Sequence, residues 1–399
     1  MRAMGRKLAL GVALLVAGTV VGTLAVSETR AAGPTFDTPT ATATLDNPVS
    51  FSVVVHGSTT PDVELVTSIP ASTDTFVEEA TVTDQGAGTY QATVEESGHE
   101  DPNTTLDYHF RTYTSDGSEV DSAKASVTVV DDRFSWQELD GPIVRLHWYD
   151  GDQAFAQRAL DVGEKGIATA SALLGVTETE PVDFFVYSSE APFRDALGPG
   201  TRENVGGEAV ADIRTLFALI EPDQIDQAWV GIVIPHELTH LVFNTAVSNP
   251  YHDPPRWLNE GLAVYLSAGD ADTDKAAVAS AVASNELIPL SGLVGQFPTS
   301  ADRFSLAYSE SVSAVDYFVT TYGKADLAAL IRSYATGVTD DEAFTAAIGQ
   351  DVEAFDAAWQ KSVGASTPQP YGPRPAPAGP APSGWTTASP EPSPTPLVP

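Results

Sequence analysis

His236 and His240 stand four residues apart, with Glu237 directly after the first, in the apolar run Ile234-Pro235-His236-Glu237-Leu238-Thr239-His240-Leu241-Val242. No other feature restricts the folding of the chain so tightly. Residues i and i+4 share one face of an α-helix, so the segment has to be helical for the two imidazoles to meet. Leu238, Leu241, Val242 and Phe243 would bury that helix, and a Glu and two His placed there each need a partner. Pro235 fits a first-turn position or a kink in a longer helix. The chain has no cysteine. Disulfides, thiol nucleophiles, zinc ribbons and iron–sulfur clusters are therefore excluded, and any metal has to be held by His, Asp or Glu.

Two imidazoles at this spacing beside a carboxylate suit a zinc ion. Zinc lowers the pKa of a bound water to about 7, and the adjacent Glu can take the proton. The ordinary alternative is two helix histidines with a solvated Glu. A second segment weighs against it. In Arg256-Trp257-Leu258-Asn259-Glu260-Gly261-Leu262-Ala263-Val264-Tyr265, Glu260 interrupts an apolar helical pattern. A lone Glu in a helix is usually exposed, but Trp257, Leu258, Leu262 and Ala263 point to an inward face. Gly261 and Ala263 are expected to let this helix pack closely on the first. Two His and one Glu, with a fourth position left for water, form a catalytic zinc set.

The rest of the chain supplies context. With 54 acidic and 20 basic residues it carries a formal charge of −34. Such a chain repels phosphate backbones, and no basic patch offsets this, so nucleic acid is excluded as a partner. Its 399 residues exceed one ordinary domain. In residues 1–32, Arg2, Arg6 and Lys7 precede an apolar run over 8–26, and small residues stand near Ser27 and Ala31. The pattern is a signal peptide or an uncleaved N-terminal membrane anchor. Both readings make the rest extracellular, secreted or tethered to the outer face of the membrane. Residues 33–132 show β-type runs at 49–56, 63–69, 75–83, 89–94, 106–114 and 120–130, separated by turn residues, as in an antiparallel sandwich. Its marked acidity reads better as a solvated spacer than as a positioning module. Residues 133–364 read as α+β. Strands are expected at 143–148, 182–187 and 208–219, and helices at 152–174, 225–248, 255–268, 276–285, 305–322, 326–336, 340–348 and 352–363. Residues 365–399 hold 12 of the 29 prolines and are expected to form a disordered tail.

HExxH followed by WLNEGLA resembles the gluzincin branch of zinc metallopeptidases, specifically the peptidase MA-like family, over roughly residues 133–364. The resemblance includes the strand FFVY, the Gly206–Gly207 pair before an edge strand, and the helix from Ala307-Tyr308 to Tyr322-Gly323. The approach through Asp131-Asp132-Arg133-Phe134-Ser135-Trp136 is similar to the sandwich-plus-peptidase arrangement of exported relatives. What this implies is a multidomain fold: an N-terminal all-β immunoglobulin-like sandwich followed by an α+β zincin-type domain. His236, His240 and Glu260 would ligate Zn2+, and Glu237 would be the general base for hydrolysis of a peptide or protein substrate. Tyr308 would donate to the oxyanion of the tetrahedral intermediate, with a core tyrosine as the even alternative. One position departs from the pattern. Val264 stands where relatives carry an acidic residue that orients a metal-bound His, and Asp226, Asn244 and Asp316 are the candidates to replace it. This departure and the Pro-rich tail support a second reading, a catalytically weak or inactive surface protein that acts as a binding module. His56, His99, His109 and His147 read as ordinary strand or loop residues. His252, in the Pro-rich loop between the two helices, is placed near the cleft. Ser309 and Ser311 lack a neighbouring His, which argues against a serine hydrolase. Oligomeric state has no signal in the sequence.

Overall fold

The computed structural model describes residues 33–70, 74–199, 206–249 and 251–365. The expected export segment and almost all of the Pro-rich tail lie outside them. Among the described residues no helix is long and apolar enough to cross a membrane.

The first part is all β. It contains β1 (Thr35–Phe36), β2 (Thr40–Thr42), β3 (Val49–His56), β4 (Val63–Ser68), β5 (Phe76–Glu79), β6 (Thr81–Gly86), β7 (Thr89–Glu96), β8 (Thr105–Tyr113), β9 (Glu119–Asp121) and β10 (Ala125–Thr128). They form two five-stranded sheets, one ordered β1-β3-β7-β6 with β2 also on β3, the other β10-β8-β4-β5 with β9 also on β8. This is the strand order of an immunoglobulin-type sandwich. The cause is period-two alternation. In β3, Val49, Phe51, Val53 and Val55 turn inward while the residues between them are half-buried. Phe51 meets Tyr108 of the facing sheet edge-on at 5.0 Å. The run expected over 75–83 is two strands on different sheets. They separate at Ala80, which is buried and donates its N–H to Val63 O. The run over 120–130 likewise breaks between β9 and β10, where the Ser122 hydroxyl accepts from Phe110 N–H.

The second part has one mixed sheet of β11 (Gln137–Asp140), β12 (Val144–Trp148), β13 (Val182–Tyr187), β14 (Gly207–Val210) and β15 (Thr215–Leu219), ordered β11-β12-β13-β15-β14. The inner three strands are parallel, and β14 is an antiparallel edge. The single strand expected over 208–219 is thus a hairpin, turned by Arg214 at φ +49°. β13 is buried along its whole length because both sheet faces are covered. Val182, Phe184 and Val186 join the helical core, while Phe185 and Tyr187 pack with Phe193, Phe217 and Leu45. Leu45 belongs to the sandwich, so the sandwich is docked on the sheet and is not a free spacer. Polar contacts reinforce the docking. Asn103 Nδ2 donates to Asp183 Oδ2 at 3.1 Å and Thr215 Oγ1 at 2.9 Å. Tyr187 donates to Asp131 Oδ2 at 2.9 Å, and His99 Nε2 lies 3.0 Å from Ala196 O.

Nine helices of the described residues complete the domain: α1 (Gln153–Leu174), α2 (Glu190–Leu197), α3 (Val230–Val247), α4 (Arg256–Ser267), α5 (Asp272–Ser284), α6 (Ala301–Tyr322), α7 (Lys324–Ser333), α8 (Asp340–Ile348) and α9 (Val352–Ser362). Asp152, Thr339 and Asp351 cap α1, α8 and α9 through their side chains. Gly261 serves a different contact from the one expected. A Cβ on it would overlap the Ser311 carbonyl, so the missing side chain lets α4 press on α6, not on α3.

Between α5 and α6 two buried carboxyls hold one stretch of backbone. Glu310 accepts from Ile288 N–H at 3.0 Å, and Asp356 accepts from Leu290 N–H at 3.0 Å. Burial, outweighing the Ile288 hydrogen bond and the charge of Arg303, pushes Glu310 up to about 8 from its ordinary 4.5. The folded chain therefore keeps a proton that the unfolded chain releases, and between about pH 4.5 and 8 rising pH favours unfolding. Glu310→Gln keeps an acceptor for Ile288 and removes the titration. It is expected to raise the melting temperature at pH 8 by at least about 2–4 °C, the shift for 1 kcal/mol in a domain of this size. At pH 5 it should leave the melting temperature nearly unchanged. Calorimetric scans at the two pH values check this, and an equal shift at both would contradict it.

Candidate metal centre

α3 is an 18-residue apolar helix, and Pro235 lies inside it, past the first turn. The helix continues through the proline, and Thr239 Oγ1 donates back to Pro235 O at 2.7 Å. One turn of this helix brings the His236 and His240 rings to 4.9 Å, edge to face. α4 crosses beside it and turns Glu260 inward, leaving the residue 7% exposed. Glu260 Oε2 then lies 3.5 Å from Nε2 of His236 and 3.5 Å from Nε2 of His240. The three donor atoms all fall within 4.8 Å of one another. A tetrahedral ion with bonds of about 2.0–2.2 Å has ligand-to-ligand edges of about 3.3–3.6 Å, and two of the three separations match. Oε2 is buried and has no hydrogen-bond partner, as suits an atom whose partner is a cation. Two imidazole nitrogens and one carboxylate oxygen therefore fit zinc.

The supports of the ligands are on the same short helix. Asn259 Oδ1 lies 2.8 Å from His240 Nδ1. An amide oxygen accepts there, so Nδ1 carries a proton and Nε2 is the nitrogen turned toward Glu260. None of the three expected replacements for the acidic residue does this. Asp226 pairs with Arg158 at 3.1 Å on the surface, Asn244 is exposed, and Asp316 lines a separate hollow with Asp270 and Lys275. The signal for Asn259 was a second polar residue in the apolar helix, adjacent to the ligand. Arg256, one turn before Glu260, donates from Nε at 3.1 Å and Nη2 at 3.0 Å to Glu260 Oε1. The only sequence signal for this contact is the i, i+4 spacing of opposite charges, which makes the two residues natural partners on a helix.

Glu237 sits between α3 and the edge strand. Gly207 makes this approach possible, because a Cβ there would come within 3.1 Å of Glu237 Cγ and 3.2 Å of Val233 Cγ1. Ala209 N–H donates to the Glu237 carboxylate. Burial raises the Glu237 pKa against the pull of His240 and His236. For Glu260, burial opposes ionisation, but the contacts with His236 and His240 outweigh it and hold the carboxyl well below the usual range. Burial disfavours charge on His240 too, yet the contact with Glu260 prevails and lifts it to about 9. The site thus holds one firmly ionised carboxylate and one carboxylate ready to accept a proton.

Tyr308 is packed among aromatic rings and also faces the cleft. Its ring packs against Phe297 at 5.4 Å and Phe304 at 5.1 Å, and lies 6.3 Å from the His236 ring. It also lines the same cleft of about 600 Å³ as His236, Glu237, His240, Arg256 and Glu260. Burial, with the negative charge of Glu260, raises its pKa, so the hydroxyl remains a donor. Leu197, Gln296 and the edge-strand residue Glu208 also line the cleft wall. The other histidines with close contacts are structural. His252 lies 3.1 Å from Asp340 and 5.8 Å from the Tyr334 ring, and is not in this wall as expected. His147 is 2.6 Å from Asp183 beneath the sandwich contact. Ser309 donates to Asp274, and Ser311 donates to Ala307 O, so neither is placed as a nucleophile.

Residues 162–365 match the family described as the Peptidase MA superfamily. None of the curated proteins matches the chain. Among solved structures, the M1 zinc metallopeptidase from Deinococcus radiodurans is 14% identical, covering 85% of this chain and 96% of its own, at a TM-score of 0.41. An aminopeptidase N family protein from Idiomarina loihiensis is 10% identical, covering 83% of this chain and 74% of its own, at a TM-score of 0.37. CopC from Methylosinus trichosporium OB3b is 15% identical over 25% of this chain and 96% of its own, at a TM-score of 0.19. These likenesses are distant, whereas the family match spans more than half of the sequence. The chain belongs to the Peptidase MA superfamily.

Proposed function

We propose that this protein is an exported zinc-dependent metallopeptidase that hydrolyses peptide bonds, with Glu237 as its general base. The observation that carries the reading is Glu260 Oε2, buried without a hydrogen bond and 3.5 Å from both imidazole Nε2 atoms. Export rests on the basic flank and apolar run of residues 1–32. When bound, zinc supplies Lewis-acid activation of the attacking water and of the substrate carbonyl. His236, His240 and Glu260 hold it. Glu237 accepts the proton of the water on its carboxylate and delivers it to the leaving amine, a role that its raised pKa suits. Tyr308 donates its O–H to the oxyanion that develops on the carbonyl oxygen. β14 is the end strand of its sheet and lines the cleft, so an extended peptide would add alongside it as a further strand. Asn259, 2.8 Å from His240 Nδ1, supplies an orienting contact where Val264 cannot, which leaves the binding-module reading resting on the Pro-rich tail.

Glu237→Gln is expected to retain one equivalent of zinc, measured by mass spectrometry, while cleavage of a peptide library falls by about 10²–10⁴-fold. Undiminished, chelator-resistant cleavage would contradict the role of Glu237. Tyr308→Phe should lower kcat by about 10²–10³-fold with little change in KM, the loss typical of an oxyanion donor. A purely structural Tyr308 would instead lower the melting temperature and leave kcat intact.

A further inference from the structure

The two oxygens of Glu260 have different surroundings. Oε1 takes two donors from one guanidinium, Nε at 3.1 Å and Nη2 at 3.0 Å. Oε2 takes none and faces the two imidazoles. An arginine and a carboxylate commonly meet as a parallel fork, one donor on each oxygen. Here both donors converge on a single oxygen. The guanidinium is held in that pose from the other side, 5.0 Å over the Phe297 ring. Its backbone is also fixed, since Arg256 N–H donates to Val294 O at 2.8 Å.

A carboxylate can hold a metal through one oxygen or two. The choice changes how many positions remain on the ion. Resting on the zinc reading above, we infer that Arg256 sets this choice. By occupying Oε1 it confines Glu260 to binding through Oε2, and so keeps a fourth position of the ion open for water. Arg256 is a positioning residue in this account, acting through Glu260. Lysine would not replace it fully, because an ammonium is a point charge without the planar pair of donors. The arrangement also ties Glu260 to the segment before α6, since Val294 and Phe297 hold the arginine that holds it.

The test uses the full chain loaded with Co2+, whose visible absorption is stronger when four-coordinate than when five- or six-coordinate. The wild type should show the intense four-coordinate spectrum, and His236→Ala should abolish it. Arg256→Met removes both donors at similar length. It is expected to lower the absorption several-fold as Oε1 turns onto the ion, with Arg256→Lys in between. If Arg256→Met does not fold, the lysine variant alone decides, by a reduced or an unchanged spectrum. An unchanged spectrum in the folded variant, with His236→Ala still abolishing the signal, overturns the role of Arg256 and leaves the zinc reading standing. A wild type that takes up no Co2+ at this site overturns both.

Discussion

A carboxylate oxygen without a hydrogen bond, buried between two imidazoles, is the constraint around which the helical half of this protein is arranged. Glu260 Oε2 is lodged 3.5 Å from His236 and His240. Burying a charge costs several kcal/mol unless a counter-charge or hydrogen bonds offset it. The two imidazoles, and a cation shared with them, are placed to do so for Oε2. Elements of very different sequence distance serve this point. α3 contributes the two imidazoles and Glu237, α4 contributes Glu260 with Asn259 and Arg256, and α6 contributes Tyr308 and the surface against which α4 is pressed.

The packing explains why these residues stay in place. Gly261 allows α4 to lie on the backbone of α6, and the adjacent face of the same helix presents Glu260 to the histidines of α3. Gly207 allows the edge strand to reach Glu237. The sandwich also belongs to this scaffold. Its Asn103 and Leu45 engage the open face of the sheet, and its His99 meets the carbonyl of Ala196. The residue after Ala196, Leu197, lines the cleft. A module that looks like an acidic spacer in sequence thus braces the region beside the site.

Much of this was legible in the chain itself. His236, Glu237, His240 and Glu260 could be found because each is a polar residue at helical spacing in an apolar run, a contrast that is local. The strand cores of β3 and β13 were legible for the same reason, through alternation or unbroken hydrophobicity. What could not be read was which surfaces meet. Gly261 signals a close approach but not its partner, which is α6. The break at Ala80 depends on a sheet change that no local pattern marks, and the hairpin at Arg214 places a bulky residue at positive φ. Asn259 is not marked by the family pattern, which points to the position of Val264 one turn after Glu260, whereas the side chain that meets His240 stands one residue before Glu260. His252 seemed close to the cleft because it lies between α3 and α4 in sequence, but its loop folds away onto Asp340.

The central claim is that His236, His240 and Glu260 share one zinc ion. Anomalous diffraction from crystals of the protein, collected on both sides of the zinc absorption edge, tests it most directly. One peak is predicted, within about 2.0–2.2 Å of His236 Nε2, His240 Nε2 and Glu260 Oε2. A protein crystallised with zinc that shows no such peak, or a peak bound to other residues, would contradict the account.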